Sequence, residues 1–452
     1  MPPGLLDRLH IALVLFLLGQ SGIAQSISGT VENVPDAIGS VLVLTVSNGY
    51  DQVPVDSMVI GAKGRFAFKK STYPPGFYQL VHGTDRLDLI LGTGEENLEL
   101  RIAGTPFQEH LTVSCSVENQ RLWDYKRASR HSQDRLRTLK DRRAEASPRD
   151  SALLQALILE EAEIQGSQQA YLDRLIVQDR NGVFATIVLA DRQLMSAIEQ
   201  GTKAIRDAFP WSNNTLVRSA VYPKAIMALL QSATPATPDI LMAASDSVLA
   251  WAAPDPTCWR FARGILVDLF ITYGPPDVVQ HLVDRYVAGP DALLPPEDRL
   301  RAAVSEQLKV AIGSISPDVL LPDPVRLDTI HLHDLVKKGA LTVLFFYSSS
   351  CDHCHEQMPG LNAIHRKFLS KQVQVVGLAL DTDTAEFVGN INKMGLEFPC
   401  FSELAAWGSP AAKAFAIKAT PAFVVIDQRG LIIAKPHDHV ELEETLDREL
   451  GR

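Results

Sequence analysis

Leu341-Thr342-Val343-Leu344-Phe345-Phe346-Tyr347 runs through Ser348-Ser349-Ser350 into Cys351-Asp352-His353-Cys354. An unbroken apolar run of strand length, rich in aromatic and β-branched residues, reads as a strand buried on both faces. The Cys-x-x-Cys stands where such a strand hands over to a helix. Further on, Ala419-Thr420-Pro421 leads into a second apolar run, Ala422-Phe423-Val424-Val425-Ile426-Asp427. Proline is confined to strand ends and edges, and a cis Thr420–Pro421 bond is expected here.

The flanking pattern alternates strand and helix. Strands are predicted at Val343–Tyr347, Val373–Leu380, Ala422–Ile426 and Leu431–Ala434. Helices are predicted at Asp352–Leu369, Ala385–Met394, Ser409–Phe415 and Glu441–Leu450. The order is βαβ followed by a ββα unit, an α/β domain over residues 313–452.

Cys351 opens the first of these helices, where unpaired backbone N–H groups and the positive end of the dipole favour a thiolate. The thiolate is the reactive form of cysteine. Cys354 lies one turn later on the same face, placed to attack a mixed disulfide formed at Cys351. His353 could lend charge or a hydrogen bond to that thiolate, or be a solvated side chain, and His355 reads as a neighbouring surface residue. Pro359 falls inside the helix and should kink it. Pro421 and Thr420 would stand beside the cysteines and shape a groove for an extended substrate. The want of a second Cys-x-x-Cys or His-x-x-x-His at ligand spacing argues against a zinc site.

Residues 313–452 thereby resemble the TlpA/ResA-type thiol–disulfide oxidoreductases of the thioredoxin superfamily, close to the AhpC/TSA-like redoxins. The resemblance is carried by Cys351-Asp352-His353-Cys354, Pro359, Thr420-Pro421, Ile426-Asp427 leading to Gly430, and the lead-in Ser316-Pro317-Asp318-Val319-Leu320-Leu321-Pro322-Asp323. It implies a thioredoxin-like fold with an added amino-terminal hairpin, a redox-active Cys351–Cys354 disulfide, protein thiols and disulfides as partners, and no metal or organic cofactor. Two positions depart from thioredoxin. Ser350 stands where a tryptophan is usual, and Phe345 replaces a buried acid that assists proton transfer, leaving Glu356 or water for that task.

The chain of 452 residues is too long for one domain. Residues 25–114 carry short alternating runs (Ser26–Val34, Val41–Val46, Arg65–Lys69, Phe77–His82, Leu87–Leu91, Leu98–Ile102) and read as a small β-sandwich. Gly61–Gly64 and Gly92-Thr93-Gly94 read as hairpin turns. Residues 115–312 read as all-α, with breakers at Pro235–Pro238, Pro254–Pro256, Pro275–Pro276 and Pro295–Pro296. The whole is a multi-domain protein in which a β-sandwich and an all-α segment precede the thioredoxin-like domain.

Residues 1–24 read as a signal peptide: Arg8, the apolar stretch Ile11–Leu18, and small residues before a cleavage point after Ala24. Export, to a bacterial periplasm, follows, with an uncleaved anchor as the alternative. The hydrophobic fraction of 46% and charged fraction of 21% are those of a globular chain. A net charge of −10 argues against nucleic acid. Residues 121–149 hold ten Lys or Arg against four Asp or Glu, which reads as a solvated helix face. Of the five cysteines, Cys115, Cys258 and Cys400 stand alone and read as small buried hydrophobes, a Cys115–Cys258 bridge remaining open.

Three functions fit. The first is thiol–disulfide exchange with proteins. Asp352-His353 and an oxidising compartment point to oxidase or isomerase, while the resemblance points to a reductase fed by a membrane electron donor, the direction favoured here. The second is a thiol peroxidase, with Ser348 in place of the usual threonine and Cys354 or Cys400 resolving. The third is a binding or assembly protein whose redox module serves one docked partner. Oligomeric state and substrate are not written in the sequence.

Overall fold

The computed structural model describes residues 25–48, 51–69, 71–92, 97–147 and 150–451. The expected signal segment, and the Thr93-Gly94 part of one expected turn, lie outside these. By contacts the chain divides into two compact units, one of residues 1–199 with 207–225 and the other of residues 200–206 with 226–452. The division falls inside the helical stretch.

The first unit holds two four-stranded sheets. One runs in the order Arg65–Ala67, Ser26–Val31, Asn97–Ile102, Leu111–Ser114, and the other in the order Asp51–Val59, Val41–Asn48, Gly76–His82, Asp85–Leu91. Strands Ser26–Val31 and Asn97–Ile102 pair in parallel, and the other pairs are antiparallel. Alternate residues from both sheets (Ile27, Leu44, Leu80, Leu89, Leu100) join helix residues Trp123, Leu172 and Phe184 in one core. Gly61–Gly64 is not the expected hairpin. Its 3-10 turn connects strands of different sheets, which the left-handed Lys63 (φ 63°) and Gly64 (φ 69°) allow.

Asn119 docks the helix Val117–Glu145 onto the sheet. Its amide accepts from Ile90 N–H and donates to Ile90 C=O, both at 2.7 Å, as a neighbouring strand would. Glu118 next to it accepts the first N–H groups of the helix Val183–Ile198, those of Val183 (2.8 Å) and Phe184 (3.0 Å). That helix starts at Gly182, which has no side-chain cap of its own, so Glu118 satisfies donors that would otherwise be orphaned.

In the second unit, three of the expected breakers begin helices. Pro238, Pro256 and Pro276 each occupy the first helical position, where a missing N–H costs nothing. Arg263, fully buried, gathers the carbonyls of Tyr286, Leu294 and Pro295 and the Glu297 carboxylate. The helix Asp298–Lys309 then leads into the α/β part, donating from Gln307 to Ala416 C=O (3.0 Å) and pairing Glu306 with Lys418 (3.1 Å).

The α/β part is built on a five-stranded sheet in the order Cys400–Ser402, Val373–Ala379, Leu341–Tyr347, Ala422–Asp427, Ile432–Ala434. The first three strands are parallel to one another, Ala422–Asp427 runs antiparallel to Leu341–Tyr347, and Ile432–Ala434 pairs antiparallel with Ala422–Asp427 in turn. Every residue of Leu341–Tyr347 is buried, as its apolar run requires. One face is covered by the helices Asp352–Phe368 and His439–Leu450, through Met358, Leu361, Leu442 and Leu446. The other carries Leu332, Val336 and Phe415. The expected hairpin ahead of the sheet pairs Leu320–Asp323 with Asp328–His331. No helix among the described residues is long and apolar enough to cross a membrane.

Candidate functional site

The central strand ends at Tyr347, and the chain turns through Ser348–Ser350 before the helix Asp352–Phe368. Cys351 is the N-cap of that helix, with an extended backbone (φ −93°, ψ 109°). Its sulfur replaces the usual capping oxygen, and the N–H of Cys354 points at it from 3.2 Å. The two cysteines are joined in a disulfide, their Cα atoms 5.2 Å apart. They differ in access. Cys351 is part-exposed, whereas Cys354 is fully buried among Met358, Leu361 and Phe345.

Thr420–Pro421 is cis, and the Thr420 carbonyl oxygen lies 3.7 Å from Cys351 Sγ. Fold topology thus brings together the residue pairs separated in sequence. Pro359 sits inside the helix as expected. His353 is exposed, its Nδ1 3.5 Å from Glu356 Oε2, and Glu356 is itself exposed. Phe345 is wholly buried, stacked between Tyr347 and Phe423, so no carboxyl stands at that position.

His355 is not the surface bystander the sequence suggested. It is part-buried, with Nε2 3.0 Å from the Ser349 carbonyl oxygen and 2.9 Å from the amide of the buried Asn390. On the other side of Ser349 lies Asp381, a residue the sequence reading passed over. Asp381 is 3% exposed and accepts from Ser349 N–H (2.8 Å) and Oγ–H (2.6 Å). Its signal was its place, just beyond the carboxyl end of a parallel strand, where open α/β sheets gather functional groups. The loop before Cys351 is therefore held from both sides.

The single cysteines separate. Cys258 and Cys400 are buried and take part in no disulfide. Burial beside Tyr347 pushes the Cys400 thiol up to about 12, so it is no ready nucleophile or resolving thiol. Cys115 overturns its expectation: it is free and exposed, in left-handed backbone (φ 59°) just ahead of the N-cap Ser116, a turn that leaves its side chain outside the core. Ser348 Oγ lies 3.0 Å from Ser350 Oγ.

Residues 312–435 match the AhpC/TSA family. The chain is 26% identical over 129 residues to the thiol-disulfide oxidoreductase ResA of Bacillus thuringiensis, an alignment covering 28% of this chain and 71% of that protein. Among solved structures it is similar to a thiol-disulfide oxidoreductase from Bacteroides fragilis (21% identity, 30% of this chain and 99% of that one, TM-score 0.29). It is also similar to a thioredoxin-like protein from Bacteroides caccae (15% identity, 54% and 92%, TM-score 0.38).

Proposed function

Since residues 312–435 form a TlpA/ResA-type domain of the thioredoxin superfamily, we propose that this chain is an exported thiol–disulfide oxidoreductase working through the Cys351–Cys354 couple. The observation that carries this reading is the asymmetry of the pair. A part-exposed sulfur caps a helix and receives a backbone N–H, and a fully buried one waits a turn behind it.

In the reductive direction the Cys351 thiolate attacks one sulfur of a substrate disulfide. A mixed disulfide forms, and the departing substrate thiolate takes a proton. Cys354 then loses its proton and attacks Cys351 Sγ, expelling the second substrate thiolate, which is protonated in turn. Two electrons and two protons have passed to the substrate, and the Cys351–Cys354 disulfide is the product left on the protein. The helix terminus and the Cys354 N–H stabilise the attacking thiolate. Thr420 and Pro421 form the wall opposite Cys351 against which the substrate lies, and His353 stands exposed at the rim. A membrane electron donor restores the dithiol, and protein disulfides are the substrates. No metal or organic cofactor takes part.

The test is the reduction potential of the couple, read by glutathione titration, alkylation and mass spectrometry. A value near −270 mV is expected for a reductase; one approaching −120 mV would reverse the direction of flow. A pair that fails to titrate reversibly would sink the oxidoreductase reading.

A further inference from the structure

The loop before Cys351 offers only serines where an aromatic ring would meet substrate, and Ser350 itself is exposed. Asp381 links that loop to a second one. Its side chain holds Ser349, and its backbone carbonyl accepts from Ala406 N–H (3.3 Å). Ala406 begins the short turn that carries Trp407.

Of the five tryptophans in the chain, Trp407 alone is exposed, at 52%. The segment is firmly braced. Glu403 accepts from Ser409 Oγ–H and from Ala411 N–H (3.1 Å), closing the base of the loop. Ser402 Oγ accepts from Leu404 N–H (3.2 Å) and donates to Ala379 C=O (2.9 Å). Leu404 (φ 50°) and Ala406 (φ 45°) both adopt left-handed backbone, a conformation that costs residues with a Cβ roughly 1 kcal/mol or more. A large apolar ring is thus held out in water on a rigid, strained turn tied to the loop of the candidate nucleophile.

We propose that Trp407 is the substrate-facing aromatic of this redox site, receiving an apolar side chain that flanks the reactive cysteine of an extended polypeptide substrate. The inference rests on the thiol–disulfide reading above. The ring offers a flat apolar surface and an N–H donor at small entropic cost, the properties that make tryptophan a recognition residue. Covering it removes a large apolar area from water that the folded chain leaves exposed.

The test compares wild type, W407A and W407F, each kept reduced by dithiothreitol, on three disulfides: glutathione disulfide, a peptide with leucine beside its cysteine, and the same peptide with serine there. W407A should lose about tenfold in kcat/KM on the leucine peptide, through KM, and nothing on the other two. W407F should recover most of the loss. An equal loss on all three substrates would mean that the position acts on the couple and not on recognition. An undiminished rate on the leucine peptide would remove the proposal alone. A wild-type protein inert on all three would remove the oxidoreductase reading and this one with it.

Discussion

Asp381 grips Ser349 at two points, Oδ1 on the backbone N–H at 2.8 Å and Oδ2 on the side-chain hydroxyl at 2.6 Å. The grip fixes the chain two residues ahead of Cys351 and puts a buried carboxyl group on the loop that leads to the candidate nucleophile. A buried acid of this kind opposes the helix terminus, which favours the thiolate. Asp381→Asn keeps both contacts, since its oxygen accepts the N–H and its amide donates to the hydroxyl. It should raise the thiolate fraction of Cys351 at a given pH and make the couple more oxidising. Thiol titration by alkylation rate against pH checks this, and an unmoved profile would deny Asp381 any electrostatic role.

Access predicts the order of modification. In the disulfide form Cys351 is part-exposed and Cys354 is buried, and reduction of the bond should keep that order. Limiting iodoacetamide should label Cys351 at least ~10 times faster, because access and thiolate character act together. Peptide mapping after partial alkylation reads the ratio directly. Cys354→Ser should accumulate mixed disulfides with substrate and Cys351→Ser should form none, as non-reducing gels would show.

Gly377 has no room for a methyl group. A Cβ there would stand 2.7 Å from Cys400 Sγ and 3.1 Å from Tyr347 Cε1. Gly377→Ala should destabilise the domain by ~1–3 kcal/mol through overpacking. Denaturant midpoints would register the loss, and pairing it with Cys400→Ala should recover part of it.

Lys435, at the end of the edge strand Ile432–Ala434, is part-buried, and burial pulls its ammonium down to about 8. The folded chain therefore releases a proton that the unfolded chain keeps between about pH 8 and the ordinary lysine value near 10.5. Stability should rise with pH through that window, because the unfolded state binds more protons there. Below pH 8 the burial penalty is present in full. Lys435→Met should thus stabilise the protein at pH 7, with the gain shrinking as the pH approaches 10. A gain equal at both pH values would place its origin in packing.

The α/β domain was legible because its period and its punctuation agree. Leu341–Tyr347 is apolar without a break, Cys351 stands at the helix start, and Pro421 opens the next strand. What escaped depends on neighbours distant in sequence. Asp51–Val59 is a polar strand interrupted by Pro54, and only its pairing with Val41–Asn48 makes it one. Cys400–Ser402 is three residues long and exists because Val373–Ala379 offers it an edge. Asp381 carries no local motif, and its role appears only once two strands stand side by side and bring Ser349 to it. Trp407 went unnoticed for the same reason: nothing in its own segment says that the turn hangs from Asp381.

The helix Asp298–Lys309 carries a consequence for anyone who would excise the redox domain. Val310, directly after it, is fully buried among Val319, Leu321 and Phe415, and Gln307 and Glu306 hold the turn at Ala416–Lys418 that leads to Thr420. A fragment cut at residue 313 would leave an empty apolar socket and release the far wall of the cysteine pair. The last helix of the all-α stretch is in effect the first piece of the catalytic domain's scaffold, and a stand-alone fragment should begin ahead of Asp298.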